Sequence, residues 1–263
     1  MSNILNHILE SKLSLASLPD IYYEEIKFII VIATYFRKDN STLLYVNRCL
    51  DSIKSQRYKN WEIYLIGDNY ENEEELYSYK KLVDESKIKI FNKQNPERDH
   101  INNKFLLWNI AGAGAMNYGL NLGRENGYKY YVHLDDDDYW DINHLLVNAY
   151  VFKEYQNCIF TFTRSTYPMN EIYRIPIEEI NSIFPNNLLP RSCNVIHSSI
   201  CFRMDIIKCD YYTTLNESEI FGPSDAIMWD LINNFINNNN EYNAIHIPIL
   251  TTYHDEENID HNS

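Results

Sequence analysis

Short apolar runs alternate with helical patterns along the first half of the chain. The runs at residues 27–33, 61–66 and 87–91 are rich in β-branched and aromatic residues, which favours strands. Between them lie segments whose apolar residues recur every three or four positions, as on one face of a helix. Strands that alternate with helices predict βαβ units and a mostly parallel sheet, so the expected fold class is α/β.

Two predicted helices lie between these strands, and a third follows them. The first begins near Ser41, with Asn40 or Ser41 as its cap, and the second passes through Leu76. The face of the first helix that is expected to pack on the sheet consists of Leu43, Val46, Leu50 and Ile53. A third helix is predicted over residues 108–125, where the small residues at 111–115 allow close packing against neighbouring backbone.

The next predicted strand, at residues 130–134, ends abruptly in four aspartates. Tyr139 and Trp140 follow these aspartates, and a helix resumes near Asn143. In open parallel sheets, ligands bind at the carboxyl ends of the strands. Asp68, which comes just after the strand at 61–66, and the acidic run are therefore expected at the same edge of the sheet.

The pattern changes after Phe162. An irregular stretch carries half of the chain's eight prolines, and a strand is predicted after it at 199–202. A later helix ends before the asparagine run at 237–240, and its predicted buried face consists of Met228, Ile232, Phe235 and Ile236. We expect a helical extension over residues 1–26 and a single domain over 27–263, whose second half carries loops.

The charge balance narrows the choice of partner. Acidic residues outnumber basic ones by 37 to 23, and the formal net charge is −14. Such a chain repels a polyanion, and no long cluster of Lys and Arg is present, so nucleic-acid binding is not expected. A nucleotide diphosphate can still bind if a divalent cation bridges its phosphates to carboxylates.

Targeting and cysteine patterns point to a cytoplasmic protein. The first 18 residues read as a short amphipathic helix without the features of a signal peptide, and no window is apolar enough to span a membrane. The five cysteines include no CxxC pair, which argues against a disulfide framework and against a zinc site. We expect reduced cysteines, as in the cytosol.

The strongest chemical signal is the acidic run, whose surroundings at 134–140 read LDDDDYW. Carboxylates crowded at the end of a strand raise each other's pKa unless a cation holds them together. Mg²⁺ or Mn²⁺ suits one or two carboxylates plus phosphate oxygens. The alternative is an acidic turn that only caps the next helix.

Three segments in this order resemble family 2 glycosyltransferases. They are VIATYFRKDN at 31–40, CLDSIKSQRYKNWEIYLIGDN at 49–69 and AMNYGLNLGRENGYKYYVHLDDDDYW at 115–140. The resemblance implies a GT-A fold, in which a Rossmann-like sheet with helices on both faces binds a nucleotide sugar over residues 27–140. It also implies an acceptor-binding half over 141–263 and a donor that is a uridine-linked sugar.

The resemblance also assigns roles to residues. Thr34, Tyr35 and Asp68 would line the pocket for the base and ribose, with Asp68 accepting a hydrogen bond from the base. Asp135 and Asp136 would lie toward the ribose and the water shell of the metal, and Asp137 would be the most direct metal ligand. The alternatives are packing at a strand end for Thr34 and Tyr35, and a turn role for Asp68.

Two positions depart from the family pattern. Ala33 stands where a proline usually precedes the Thr-Tyr pair, and Met116 stands where an arginine is common. The phosphate or base contacts of that arginine would then be missing, and Lys104 or Arg37 are the candidates to replace it.

Three residues of the second half are further candidates. PSDAIMWD at 223–230 resembles an acidic segment that opens a helix under the acceptor site, which makes Asp225 the candidate general base. The competing role for Ser224 or Asp225 is a helix N-cap. His254 is a candidate to complete the metal shell, unless it is a surface histidine, and His197 either faces the acceptor or lies at a strand edge.

The reaction that these residues imply is transfer of a sugar to the hydroxyl of a glycan or another acceptor, with inversion. The alternatives are a non-catalytic sugar-nucleotide or glycan-binding domain and a metal-dependent nucleotidyltransferase. A Rossmann oxidoreductase fits poorly, because GAGAMNYG at 112–119 is not GxGxxG and precedes a strand instead of following one.

Overall fold

A computed structural model describes residues 18–94, 100–166 and 195–254. Eight strands are present in these ranges: β1 (Phe28–Thr34), β2 (Trp61–Asp68), β3 (Ile88–Lys93), β4 (Tyr130–His133), β5 (Tyr139–Trp140), β6 (Cys158–Thr166), β7 (Ile200–Arg203) and β8 (Asn243–Tyr253). The α-helices in the same ranges are α1 (Thr42–Lys54), α2 (Glu73–Ser78), α3 (Lys104–Ile110), α4 (Ala113–Glu125), α5 (His144–Glu154) and α6 (Ser224–Asn237). Short 3₁₀ turns occupy Tyr79–Leu82, Glu85–Lys87, His197–Ser199 and Glu217–Glu219.

The strands form one sheet in the order β3-β2-β1-β4-β7-β6-β8-β5. The first four strands are parallel, whereas β7 is antiparallel to both β4 and β6. β8 runs parallel to β6, and the short β5 pairs antiparallel with β8 at the edge. The predicted α/β class and the parallel first half are thus confirmed, and the second half makes the sheet mixed.

Helices cover both faces of this sheet. Alternate residues of β1 point to opposite faces, so Ile30 belongs to one apolar core and Val31 to the other. The first core packs against α1 and α5, and the second packs against α4 and α6. Because β1 is buried on both faces, its sequence reads as a continuous apolar run.

Two predicted helix faces need correction at one residue each. Leu43 is 50% exposed, and the buried face of α1 is completed instead by Tyr45 and Cys49. Phe235 is 36% exposed at the edge of the buried face of α6. The physical reason is that a helix advances about 100° per residue, so residues at the margin of an apolar stripe reach solvent.

The helix predicted over 108–125 is two helices. Gly112 has a φ of +75° and separates α3 from α4, a backbone conformation that glycine adopts without a side-chain clash. The close packing predicted for residues 111–115 is confirmed for Ala113 and Ala115, which are buried in the core beside β1. It also extends to Gly119, where a Cβ would lie 2.5 Å from Val31 Cγ1. Ser41 is the N-cap residue of α1, but its side chain bonds Asp39 instead of the helix.

The predicted N-terminal helix and the proline-rich stretch lie almost wholly outside the described residues. Within the described part of the chain, no helix is long and apolar enough to cross a membrane.

Candidate active site

The acidic run lies at the carboxyl edge of the parallel strands. It follows β4 directly, beside the end of β1 at Thr34, while Asp68 ends β2. The sequence therefore predicted correctly that these residues share one edge. Thr34 and Asp68 are buried there, whereas the Tyr35 side chain is partly exposed.

Asp136 is held by two side chains from the β1 end. Thr34 Oγ1 donates to Asp136 Oδ2 over 2.6 Å. The Arg37 guanidinium donates to both carboxylate oxygens, with Nη1 2.8 Å from Oδ2 and Nη2 2.7 Å from Oδ1. This bidentate geometry is the strongest form of an arginine–carboxylate contact, so Asp136 is fixed within the protein.

The charge of Asp137 is unfavourable in its surroundings. Burial, together with the charges of Asp136, Asp138 and Asp135, raises its pKa from 3.8 to about 7. Arg37 Nη2 lies 3.2 Å from Asp137 Oδ2 and opposes that rise. The Asp137 side chain is 25% exposed, so it is accessible from solvent.

Asp138 points the other way, toward elements from the second half of the chain. Ser198 Oγ donates to Asp138 Oδ2, and His254 Nδ1 lies 2.7 Å from Asp138 Oδ1. Burial of the ring opposes protonation, but the hydrogen bond and charge of Asp138 raise the pKa of His254 to about 9. The structure thus brings His254 to the acidic run, in contact with Asp138.

Asp135 faces two stacked histidines. His133 Nε2 is 2.9 Å and His197 Nδ1 is 3.4 Å from Asp135 Oδ1, and the two imidazole rings stack with centroids 3.6 Å apart. Burial and the neighbouring His197 lower the pKa of His133 to about 4. Burial also disfavours a charge on His197, but Asp135 raises its pKa above the ordinary value.

A chain of buried polar groups continues from these histidines to α4. His197 Nε2 lies 2.8 Å from the hydroxyl of Tyr211, which is 3.3 Å from the hydroxyl of Tyr131. The backbone of Tyr211 is fixed in turn by Asn117, whose amide side chain both donates to its carbonyl and accepts from its N–H, each over 2.8 Å. Asn117 is part of the AMN segment, so this motif positions the loop that precedes α6.

Asp225 lies in the first turn of α6 and is not its N-cap. The N-cap residue is Pro223, and the hydroxyl of Ser224 instead donates to the carbonyl of Tyr212 over 2.7 Å. The proposed capping role of Ser224 or Asp225 is therefore wrong. Burial raises the pKa of Asp225, while the charge of His197 lowers it, so His197 couples this carboxyl to Asp135.

The chemistry of this edge fits a divalent cation. Burial and three neighbouring carboxylates raise the pKa of Asp137, and a cation bound there would offset the repulsion from those carboxylates. The sequence-predicted ligands Asp135, Asp137 and His254 all belong to this cluster. Among the described residues, the set whose ligand atoms lie within 4.8 Å of one another is a different one: His133, Asp135 and His197. Asp135 is common to both sets.

Sequence reasoning missed His133, Ser198, Arg48 and Tyr211. Strand periodicity carried one usable signal, because Tyr131, His133 and Asp135 alternate and therefore share a face. Ser198 and Tyr211 reach the site from 60 or more residues away along the chain and left no local signal. Arg48, which donates to the carbonyl of Asp137, resembles any polar residue on a helix.

Comparison with known proteins agrees with this geometry. The family model described as "Glycosyl transferase family 2" matches residues 29–215. The chain is 60% identical, over 236 residues, to the "Uncharacterized glycosyltransferase R139" of Acanthamoeba polyphaga mimivirus. That match covers 89% of this chain and 95% of the relative.

Solved structures show the same fold at low identity. S. aureus TarS 1-349 in complex with UDP-GlcNAc matches with a TM-score of 0.55 and 13% identity, over 86% of this chain and 58% of that one. Mannosyltransferase PcManGT from Pyrobaculum calidifontis, in complex with GDP-Man and Mn²⁺, matches with a TM-score of 0.53 and 13% identity. That second match covers 86% of this chain and 56% of the other. The chain therefore spans less than two thirds of the length of these structures.

Proposed function

The chain belongs to glycosyl transferase family 2 and has the GT-A fold, and we propose that it moves a sugar from a uridine diphosphate donor to an acceptor hydroxyl with inversion. The observation that carries this proposal is the clustering of Thr34, Asp68 and the acidic run at one edge of the sheet. A UDP-GlcNAc complex and a GDP-mannose complex among the structural neighbours support a nucleotide-sugar donor.

Residues 27–140 bind the donor in this proposal. Asp68, buried at the end of β2, accepts a hydrogen bond from the base, and Tyr35 and Thr34 line the base and ribose. Asp135 and Asp136 face the ribose side. Asp136 acts through its contacts with Thr34 and Arg37, which set the shape of this pocket.

Asp137, Asp135 and His254 hold Mn²⁺ or Mg²⁺, which supplies charge stabilisation for the diphosphate leaving group. The Mn²⁺ in the complex of PcManGT, which has the same fold, supports a divalent metal here. Ser198 orients the ligand set, since it contacts Asp135 and Asp138 at the same time. His254 reaches the cluster because β8 ends beside it.

Asp225 is the general base in residues 141–263, the acceptor-binding half of this proposal. Its pKa is raised by burial, which makes the carboxylate a better proton acceptor than a solvated aspartate. The acceptor hydroxyl gives its proton to Asp225 as its oxygen attacks the anomeric carbon, and the bond from that carbon to the diphosphate breaks. His197 contacts Asp135, and its charge lowers the pKa of Asp225.

The acceptor is a glycan or another molecule with a free hydroxyl, and the cellular site is the cytoplasm. Four cysteines in the described ranges are free, three of them buried, which suits a reducing compartment.

The test is release of nucleoside diphosphate from UDP-sugars with Mn²⁺ and a panel of acceptors. Asp225→Asn should lower turnover by about 10²–10⁴-fold, the usual contribution of a general base, while donor affinity stays constant. Asp230→Asn is the matched control, because Asp230 lies exposed on the same helix and should not affect turnover.

Four results would count against the proposal. If Asp225→Asn were as active as the parent, Asp225 would not be the general base. If Asp230→Asn alone lowered turnover, Asp230 would be the base instead. Release of pyrophosphate instead of nucleoside diphosphate would indicate a nucleotidyltransferase. Donor binding without release on any acceptor would indicate a binding domain.

A further inference from the structure

Arg37 is a buried cation at the centre of the acidic run. Its side chain is 10% exposed, and its guanidinium lies 4.3 Å from the ring centroid of Tyr35 and 5.1 Å from that of Tyr45. The backbone N–H of Arg37 donates to Thr42 Oγ1 over 2.7 Å, and that hydroxyl donates to the carbonyl of Tyr35 over 3.2 Å. The loop between β1 and α1 therefore holds the guanidinium in a fixed position.

The two carboxylates that Arg37 contacts are bound unequally. Asp136 receives two hydrogen bonds of 2.8 and 2.7 Å and a third from Thr34. Asp137 receives one from Arg37, at 3.2 Å, from the same Nη2 that already serves Asp136. The Arg37 guanidinium thus contacts two carboxylates, and its contact with Asp137 is the weaker of the two.

We propose that Arg37 is a built-in counter-cation that holds Asp137 until a divalent metal takes that carboxylate, and that the released Nη2 then binds the donor diphosphate. This inference rests on the proposed function, because it requires a metal at Asp137. Asp136 keeps its bidentate contact throughout, so the guanidinium stays in place while its third contact changes.

The residue type supports both parts of the proposal. A guanidinium presents several N–H groups in a planar fork, so it can hold one carboxylate bidentately and still offer a further donor to an oxyanion. It also stacks on aromatic rings, as it does here on Tyr35.

Binding of Mn²⁺ alone tests the first part. Calorimetry with Mn²⁺ would compare the parent with Arg37→Gln. Loss of a competing positive charge at short range should tighten Mn²⁺ binding by roughly tenfold. The matched control is Arg203→Gln, which removes an arginine that holds Asp205 bidentately, at 2.7 Å for each contact, outside this cluster.

Binding of UDP at saturating Mn²⁺ tests the second part. Arg37→Gln should bind UDP at least roughly tenfold more weakly, because it loses a charge-assisted hydrogen bond to phosphate. Arg37→Lys keeps the charge but cannot hold Asp136 bidentately and also offer a donor, so its UDP affinity should fall between those of the other two proteins. Far-UV circular dichroism and urea unfolding confirm that each variant is folded.

The opposite pattern would overturn the inference. If Arg37→Gln bound Mn²⁺ no more tightly than Arg203→Gln, Arg37 would not compete with the metal. If its UDP affinity equalled that of the parent, Arg37 would not bind the diphosphate. Either result would leave the proposed function standing as long as the parent binds Mn²⁺ and UDP. If the parent bound no Mn²⁺, both this inference and the metal-binding part of the proposed function would be refuted.

Discussion

Replacing Asp137 by asparagine should stabilise the metal-free protein. Burial and three neighbouring carboxylates raise the pKa of Asp137 to about 7, so its ionised form is unfavourable in the folded state. Asparagine has nearly the same shape and removes the charge. Arg37 keeps its two contacts with Asp136 in the variant, so the cluster retains its main ion pair.

The sign and size of the effect follow from proton linkage. The folded protein binds a proton at Asp137 more tightly than the unfolded chain does, so the stability of the parent falls as pH rises from 3.8 to about 7. The full pKa difference corresponds to about 4 kcal/mol. The site is partly exposed, so we expect the variant to gain about 1–3 kcal/mol in unfolding free energy above pH 7 and nothing below about pH 4.

Urea unfolding in the presence of a chelator measures this gain, at about pH 8 and again at about pH 4.5. Asp51→Asn is the matched control, since it changes the net charge equally at an exposed position on α1. Adding Mn²⁺ should reverse the order of stability. A metal at a hundredfold excess over its Kd adds about 2.7 kcal/mol to the parent, and the variant has lost the ligand.

Equal stability of parent and variant at both pH values would show that the acidic run carries no charge penalty. Stabilisation of the variant by Mn²⁺ as large as that of the parent would remove Asp137 from the metal site. If the variant gained the same unfolding free energy at both pH values, the effect would come from packing and not from ionisation.

Two other substitutions test separate parts of the molecule. In calorimetry, Asp68→Ala should weaken UDP binding by about 1.5–3 kcal/mol, as for the loss of a hydrogen bond to a charged group, and should leave Mn²⁺ binding unchanged. Unchanged UDP affinity would mean that Asp68 has only a structural role. Gly119→Ala should lower the free energy of unfolding in urea by about 1–3 kcal/mol, because its Cβ would lie 2.5 Å from Val31 Cγ1 in the buried β1 strand. Asn121→Ala, on the exposed side of α4, is the control, and equal stability of the two variants would contradict the tight packing.

Local patterns in the sequence predicted the parallel half of the fold. The apolar runs of β1, β2 and β4 and the helical periodicity between them are properties of neighbouring residues. The break at Gly112 escaped prediction because glycine is tolerated inside helices as well as between them. The exposure of Leu43 was not predicted, because periodicity shows where an apolar stripe lies on a helix but not where the stripe reaches solvent.

The candidate site was also predicted only in part. Asp68 and the acidic run were predicted because each follows directly on a strand, and topology brings strand ends together. Among the partners of the aspartates, His254 was recognised as a candidate metal ligand, and the structure places it against Asp138. Ser198 was not predicted, because it arrives from a distant segment just before β7. Arg37 was recognised as a candidate cation, but its bidentate contact with Asp136 depends on side-chain geometry that no spacing encodes.

The edge strand β5 has a consequence for the order in which the chain assembles. Its residues Tyr139 and Trp140 come directly after the aspartates, yet they pair with Tyr253 and Thr252 at the far end of β8. During synthesis, the parallel strands can fold long before β8 leaves the ribosome, and these long-range pairings form last. A nascent chain therefore carries all four aspartates without the strand that frames them. Capacity to bind the donor should emerge late in translation, together with β8.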